Sequence, residues 1–477
     1  MTLTPILVFT LAAFLYLLLL PRRGREWALY IGSIVAIYWL QPVIVIRWMD
    51  FLFPTLMLGI ILLAWITMRA PEQSWTREDA VSISLMVIVI LALSFGRYIV
   101  PEYRITPSSP PDPTTVALWI VAALIVLVAW RLLPIRQKRL STAVILLILS
   151  LFIVLKTEPL AKELSRQLRA WEGRPTQLAT ASELSWLGFS YVAFRLIHTL
   201  RDRQTGRLPA LSLRDYVTYV LFFPAFIAGP IDRAERFLQD LQQLPDLAGF
   251  DANRIVQGSM RIAVGIGKKF VIADALAYMA IDATKAEQAT STFGLWILLY
   301  AYAFQIYFDF SGYSDIAIGI GQLFGIKLPE NFNQPYLKRN ITTFWQSWHI
   351  TLSQWVRFYV FSPLSRYLLT RKHKPSPTTL ALIGQTTTMI VIGLWHGVTW
   401  GFVAWGLWHG LGLFIHKVYS DKTRRTYLKL RDRPKTNSSI GVLGTVITFH
   451  FVTLGWVWFA LPDIGTSWDV FIRLLGL

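Results

Sequence analysis

The sequence predicts an all-α polytopic membrane protein, with about 11–13 transmembrane helices and one further amphipathic or re-entrant helix. Three observations support this fold class. First, 54% of the 477 residues are apolar and 16% are charged, whereas about 25% are charged in a typical soluble domain. Second, apolar runs long enough to cross a hydrocarbon core of about 30 Å recur along the chain. Third, clusters of Lys and Arg separate several of these runs.

The apolar runs fall into two groups. Six regular and closely spaced runs come first, at residues 3–20, 27–46, 51–68, 81–100, 116–130 and 142–155. No basic residue precedes the first run and no small-residue cleavage site follows it, so we expect a retained anchor and not a signal peptide. Six less regular runs follow, at residues 216–231, 260–281, 293–324, 380–400, 402–415 and 441–461.

The distribution of basic residues predicts the orientation of the helices. Arg22, Arg23 and Arg25 follow the first run, and residues 417–435 hold eight basic residues against two acidic ones. Basic loops face the cytoplasm, which would put the N-terminus outside and make residues 101–114 an outer loop. We therefore expect a multi-pass protein of the cell membrane, meaning the inner or cytoplasmic membrane.

Charge and cysteine content exclude several classes of function. The net charge of +18 would suggest nucleic-acid binding in a soluble protein, but here the excess lies in loops where anionic lipid headgroups attract it. We expect membrane lipid as a partner and no nucleic acid. The chain has no cysteine, which excludes thiolate metal sites and a cysteine acyl intermediate. We expect no bound metal and no permanently bound cofactor, and no phosphate-binding loop is recognisable.

One histidine lies inside an apolar run. His396 occurs in the sequence VIGLWHGVTWGF, within residues 380–400. Ionisable side chains at bilayer depth are costly and usually face a bundle interior or a water-filled cavity. His396 is therefore the first candidate for a catalytic residue.

A second histidine lies in an amphipathic segment, FWQSWHITLSQWVRFY, over residues 344–359. Apolar and aromatic side chains, Trp348 and His349 among them, recur there with the i, i+3, i+4, i+7 spacing of one helical face. The opposite side, which includes Thr351, is polar. We expect one continuous helix that lies at an interface or re-enters the membrane against protein.

Other polar residues in apolar surroundings are expected to be structural. Asp309 and Asp315 occur in FDFSGYSD, and Asp232 and Arg233 occur in GPIDR. Buried carboxylates need partners, so we expect ion pairs or hydrogen bonds at these positions and not catalysis. His409, in a second Trp-His-Gly triplet, is expected to be a packing residue.

Several sequence blocks, in order, resemble the membrane-bound O-acyltransferase family. They are GFSYVAFR from Gly188, FPAFIAGPIDR from Phe223, FDFSGYSD from Phe308, PENFNQPY from Pro329, FWQSWHITLSQW from Phe344 and GLWHGVTWGFVAWGLWHG from Gly393. The resemblance covers Gly188 to roughly Phe459, which is more than half of the chain. They are similar in particular to the bacterial branch that includes the alginate O-acetylation protein and the D-alanyl transfer protein of teichoic acid biosynthesis.

The resemblance implies a central tunnel between a cytoplasmic acyl-thioester donor and an outward-facing acceptor hydroxyl. It makes His396 the principal catalytic histidine and His349 the second. A neutral imidazole, which burial favours, can take the acceptor proton as the oxygen attacks the thioester carbonyl, a contribution of about 10²–10⁴-fold in rate.

Four further residues are expected to bind substrate: Trp348, Trp395, Ser353 and Arg357. The indole N–H of Trp348 or Trp395 would donate a hydrogen bond to the developing oxyanion. Family members commonly have an acidic residue directly after the arginine, whereas Phe358 follows Arg357 in this chain.

The favoured function is transfer of a small acyl group, acetyl, from a cytoplasmic thioester donor to hydroxyls of an extracytoplasmic polysaccharide. The co-substrate would be acetyl-CoA or a phosphopantetheinyl carrier protein. Candidate protein partners are an acyl carrier protein and a periplasmic or extracellular acetyltransferase. We expect residues 1–186 to form a transmembrane scaffold and residues 187–477 to form the O-acyltransferase core.

Three alternatives remain open from the sequence. The first is D-alanyl transfer from a carrier protein to a teichoic-acid-like polymer. The second is a transporter or flippase for a polar glycolipid, because a helical bundle with buried histidines suits that role as well. The third is an acyl-binding scaffold that recruits a separate transferase.

Overall fold

The computed structural model describes residues 2–69, 73–99, 105–132, 137–247, 251–431 and 433–477. Residues 101–104 of the predicted outer loop lie outside these ranges. The described residues form 22 α-helices and no strand, which confirms the all-α fold class. The helices are α1 Leu3–Leu19, α2 Arg25–Trp39, α3 Met49–Met68, α4 Arg77–Ile99, α5 Pro113–Leu132, α6 Gln137–Lys156, α7 Glu158–Trp171, α8 Phe189–Gln204, α9 Leu213–Leu221, α10 Ala234–Gln243, α11 Ala252–Ile266, α12 Asp274–Ala277, α13 Ala283–Gln288, α14 Thr292–Leu323, α15 Ile341–Trp345, α16 Ile350–Val356, α17 Ser362–Leu369, α18 Pro377–His396, α19 Trp400–Arg431, α20 Pro434–Gly455, α21 Val457–Ala460 and α22 Ile464–Leu474.

Helix length and hydropathy identify a multi-pass membrane protein. Across the described ranges, seven helical stretches are long and apolar enough to cross a bilayer: α3, α4, α5, α6, α14, α18 and the consecutive pair α20 and α21. Helix α1 is apolar but has only 17 residues. The apolar run at residues 216–231 does not form one helix, because α9 ends at Leu221 and a 3-10 turn with Pro224 at its start follows.

The chain folds into two compact units. The first comprises residues 1–260 and 317–328, and the second comprises residues 261–316 and 329–477. The predicted division at residue 186 concerns the roles of the two parts of the chain and stays a prediction. In the first unit, Asp232 and Arg233 are paired as expected: Arg236 is bonded to the buried Asp232, and the exposed Arg233 pairs with the buried Asp202 at 3.5 Å.

In the second unit, α18 and α19 form a tight antiparallel hairpin. Glycines make this close approach possible, because any side chain there would meet backbone. A Cβ atom at Gly393 would collide with the carbonyl oxygen of Phe402, and one at Gly406 would lie 2.7 Å from the Cα atom of Ile390. The hairpin turn follows directly after His396, the last residue of α18.

The predicted continuous helix over residues 344–359 is wrong. Helix α15 ends at Trp345, α16 begins at Ile350, and a π-helical turn follows at Arg357–Phe361. The break occurs because the loop after α14 bonds to this segment: the amide of Asn333 donates to the carbonyl of Ser347 at 3.0 Å. Thr351, expected on the polar side of that helix, is buried.

Candidate active site

His396 lies at the end of α18 in an aromatic environment. Its ring contacts those of Trp395 and Phe459, with centroid distances of 4.4 and 4.7 Å, both edge-on. The rings of Phe402 and Trp405, from α19, lie at 5.8 and 5.9 Å. The close α18–α19 hairpin therefore fixes the surroundings of this imidazole.

His349 occupies the position immediately before α16. Its backbone is left-handed, with φ of 43° and ψ of 56°, a conformation that is uncommon and costs about 1–3 kcal/mol for a residue other than glycine. The side chain is 3% exposed. Neither ring nitrogen has a hydrogen-bond partner among the residues that the structure describes. A buried imidazole of this kind is available for a reactant.

Both histidines line one small cavity. The cavity has a volume of about 40 Å³ and is lined by Ile306, Phe310, Trp345, Trp348, His349, Leu352, Ile392, His396, Trp405, Trp456 and Phe459. The ring of Trp395 contacts both imidazoles, at 4.4 Å from His396 and 6.1 Å from His349. This volume suits a few water molecules or a small acyl group.

The other residues expected at the site are only partly brought together. Trp348 lines the cavity with the two histidines. Ser353 lies near it: its amide donates to the carbonyl of His349 at 3.0 Å, and its hydroxyl donates to the carbonyl of Trp348 at 3.4 Å. Arg357 has an exposed side chain and does not line the cavity.

Sequence alone does not point to several residues that shape the cavity. Phe310 contacts the His349 ring edge-on at 4.7 Å, and it lies within the quoted block FDFSGYSD. The indole N–H groups of Trp345 and Trp405 have no partner in the described part of the chain, so both are candidate hydrogen-bond donors to a reactant. The sequence does not distinguish these two tryptophans from core residues, because tryptophans that only pack in a core show the same apolar helical pattern.

His409 lies behind this cavity and does not line it. Its ring packs against those of Trp405 and Trp345 at 4.8 and 5.3 Å, and it is fully buried. The contacts agree with the expected packing role. The Cβ position of Gly455 lies 2.8 Å from its Nε2 atom, so a side chain there would collide with it.

A second, polar cavity of about 190 Å³ lies on the neighbouring face of α14. It is lined by Arg261, Lys268, Tyr307, Ser311, Ser314, Asp315, Glu330, Asn331, Phe332, Asn333 and Gln334. Its charges neutralise each other: Asp315 accepts from Arg261 at 2.8 Å and from Lys268 at 2.7 Å, while Arg261 also binds Glu330 at 2.5 Å.

The predicted ion pairing of the two carboxylates in FDFSGYSD is thus confirmed. Asp315 binds Arg261 and Lys268, and Asp309 binds Lys269. Within the described ranges, no group of three or more metal-ligating side chains occurs.

The arrangement is chemically suited to proton transfer in a site lined mostly by apolar and aromatic side chains. Two imidazoles and two indole N–H groups surround one small space. Among the described residues, both nitrogens of His349 and both of these indole N–H groups have no hydrogen-bond partner. An imidazole can accept a hydroxyl proton, and indole N–H groups can stabilise an oxyanion.

Comparison with known proteins gives a consistent result. A family model described as the membrane-bound O-acyltransferase family matches residues 137–454, a range that includes both histidines. The chain is 36% identical to a teichoic acid D-alanyltransferase of Streptococcus thermophilus, over 60% of this chain and 71% of the relative.

Two further relatives carry different names. The chain is 37% identical to a peptidoglycan O-acetyltransferase of Helicobacter pylori, over 55% of this chain and 47% of the relative. It is also 37% identical to a probable alginate O-acetylase of Azotobacter vinelandii, over 61% of this chain and 54% of the relative. The match thus spans only about half the length of these two relatives.

Proposed function

The chain belongs to the membrane-bound O-acyltransferase family, and from this premise we propose that it transfers a small acyl group from a thioester donor to hydroxyls of a cell-envelope polymer. The observation that carries the proposal is that His349 and His396 line the same small cavity. The names of the relatives support the acceptor class, because they refer to alginate, peptidoglycan and teichoic acid.

In the proposed reaction, His396 is the general base. Its neutral imidazole takes the proton of the acceptor hydroxyl as that oxygen attacks the thioester carbonyl. The tetrahedral intermediate then expels the thiolate, which receives the proton back from the imidazolium. His349 is the second histidine of the site, and the indole N–H of Trp348 or Trp395 would stabilise the oxyanion. Trp345 and Trp405, which line the cavity, are two further candidate donors. Ser353 and Arg357 are proposed to bind substrate outside the cavity lining.

Acetyl is the favoured acyl group, with acetyl-CoA or a phosphopantetheinyl carrier protein as its donor. The small cavity supports a short acyl chain, and two of the three relatives described above are named for O-acetyl transfer. D-alanyl transfer from a carrier protein is the second candidate, because the D-alanyltransferase is matched over the larger share of its length.

The proposed setting is the cytoplasmic membrane, with the donor inside and an extracytoplasmic polysaccharide outside. A tunnel through the protein would join the two sides. An acyl carrier protein or a periplasmic or extracellular acetyltransferase is the proposed protein partner, and membrane lipid surrounds the apolar helices.

The test uses the native host with the gene deleted and then restored on a plasmid. Envelope polymers are isolated, and the acetate and D-alanine released by mild alkali are quantified. We expect the deletion to remove one of these esters and the wild-type gene to restore it. His396→Ala should restore at most about 1% of it, since loss of a general base costs about 10²–10⁴-fold.

His416→Ala is the matched control, because this histidine also lies on an apolar helix but bonds to Thr342 outside the cavity. It should restore the ester. Unchanged acetate and D-alanine in the deletion strain would refute the proposed function, and a His396 variant with normal ester content at normal expression would refute its role as the base.

A further inference from the structure

We infer that Asn331 is a positioning residue that holds His349 in its left-handed conformation at the cavity. The expected effect of Asn331 on catalysis rests on the proposed function. The expected effect of Asn331 on the position of His349 does not. The starting observation is that α16 begins directly after His349, whose own side chain makes no capping hydrogen bond. The first N–H groups of a helix need acceptors.

Asn331 supplies those acceptors from a distant loop. Its backbone carbonyl accepts from the amide of Ile350 at 2.9 Å. Its side-chain Oδ1 accepts from the hydroxyl of Thr351 at 2.6 Å and from the Thr351 amide at 3.4 Å. The first two residues of α16 are therefore tied to Asn331, in place of the usual cap from the preceding residue.

Asn331 also ties this helix start to α14. Its Nδ2 donates to the hydroxyl of Ser314 at 3.3 Å. Ser314 lies one helical turn after Phe310, so the two share a face of α14, and the Phe310 ring contacts the ring of His349. The fully buried side-chain amide of Asn331 thus links the start of α16 to the face of α14 that carries Phe310, the ring against which His349 packs.

His349 itself has little else to fix it. Neither of its ring nitrogens is bonded to any described residue, so its position depends on its backbone and on ring contacts with Phe310 and Trp395. A left-handed residue persists only when its surroundings hold it there. Without the side-chain bonds of Asn331 to Thr351 and Ser314, the chain around residue 349 can relax towards the ordinary helical conformation, and the imidazole would leave the cavity.

The chain provides a matched control in Asn340. This asparagine caps the preceding helix, α15, and its Oδ1 accepts from the amide of Thr343 at 2.9 Å. Replacement of Asn340 by alanine removes a cap of the same chemistry from a neighbouring helix without touching the bonds at the start of α16.

The first measurement reports on the position of His349 and needs no substrate. Purified protein in detergent is treated with diethyl pyrocarbonate, and the modification of each histidine is followed by peptide mass spectrometry. We expect His349 to react slowly in the wild type and in Asn340→Ala, and faster in Asn331→Ala. His409, which is also buried, should stay protected throughout and reports on global unfolding.

The second measurement is ester formation in membranes supplied with radiolabelled acetyl-CoA. Asn331→Ala should lower kcat by about 100-fold with little change in the KM for acetyl-CoA, the size expected for a displacement of about 1 Å at a reacting group. In a His349→Ala background, Asn331→Ala should cause no further loss. Thr351→Val, which removes one donor and keeps the asparagine, should show a smaller loss in the same direction.

Two results would overturn the inference. One is wild-type protection of His349 in Asn331→Ala. The other is an equal loss of activity from Asn331→Ala with and without His349. If Asn331→Ala does not fold, Thr351→Val carries the same two tests. Failure of the proposed function would be distinguishable, since His396→Ala would then leave ester formation unchanged while the modification of His349 still tests Asn331.

Discussion

At the scale of single residues, the site depends on histidines among aromatic rings. Of the described residues that line the cavity, none carries a formal charge besides the titratable imidazoles of His349 and His396. A carboxylate that orients the base, as in hydrolase triads, is thus not part of this lining. Packing in the hairpin around His396 and the backbone geometry at the helix start after His349 contribute to the orientation of the two imidazoles.

A prediction at this scale concerns Ser353, whose hydroxyl lies about one helical turn after His349 in the sequence. Its Oγ donates to a backbone carbonyl and is therefore not aligned with a histidine that would activate it. We expect direct transfer without an acyl-enzyme. Purified protein incubated with radiolabelled acetyl-CoA and no acceptor, then quenched in acid, should carry no stoichiometric label.

Ser353→Ala should keep the chemical step, with ester formation at saturating acetyl-CoA and a raised KM at most, because the residue is proposed to bind substrate and not to carry the acyl group. A labelled peptide that contains Ser353 would contradict direct transfer and leave the family assignment intact.

At the scale of elements, glycine packing between α18 and α19 determines where His396 lies. The two helices approach so closely that a Cβ atom at Gly410 would lie 2.7 Å from the Cα atom of Thr386. Backbone atoms cannot move aside as a flexible side chain can. The catalytic candidate therefore depends on small residues that lie several turns away from it.

This packing predicts the effect of Gly406→Ala. Its Cβ atom would lie 2.7 Å from the Cα of Ile390 and 2.8 Å from the carbonyl oxygen of Met389, so the two helices must move apart. We expect a loss of about 1–3 kcal/mol in stability, measured as a lower midpoint of thermal unfolding in detergent, together with reduced ester formation.

The matched control is Gly59→Ala on α3, where no atom lies within 4 Å of the added Cβ. It should unfold at the wild-type temperature or slightly above. If Gly406→Ala and Gly59→Ala had the same midpoint of thermal unfolding, α18 and α19 would not pack as closely as described here.

At the scale of the whole molecule, the distribution of basic residues predicts how the chain is inserted. The positive-inside rule puts the loop after α4 outside and the basic end of α19 inside. This orientation can be tested by labelling single cysteines, which should be placed where they disturb no structural contact. In the outer loop, the amide and hydroxyl of Ser108 bind the buried carboxylate of Asp50 at 2.7 and 2.6 Å. Ser109 is exposed and is therefore the better position.

The topology prediction uses single cysteines, which the native chain lacks. A cysteine at Ser109 should react with an impermeant maleimide added to intact cells or spheroplasts. A cysteine at Thr426, also exposed, should react only after permeabilisation. Labelling in the opposite pattern would invert the orientation and exchange the sides from which donor and acceptor reach the site.

Composition and pattern were sufficient for the fold class, the membrane setting and the candidate histidine. Long apolar runs permit little besides helices in a bilayer, because every backbone polar group must be bonded within its own segment. His396 was recognisable from sequence for a related reason, since a titratable side chain in such a run is costly unless it has a use. A carboxylate without a partner is also costly in apolar surroundings, and for this reason ion pairs could be predicted for Asp309 and Asp315.

Only the tertiary structure decided how the site is assembled. Periodicity predicted one helix over residues 344–359, but hydrogen bonds from a loop that precedes it in sequence break that helix and put His349 in a left-handed conformation. Local sequence patterns cannot show bonds between distant segments, because those bonds exist only once the segments are packed together. The role inferred for Asn331, and the cavity shared by His349 and His396, depend on such contacts.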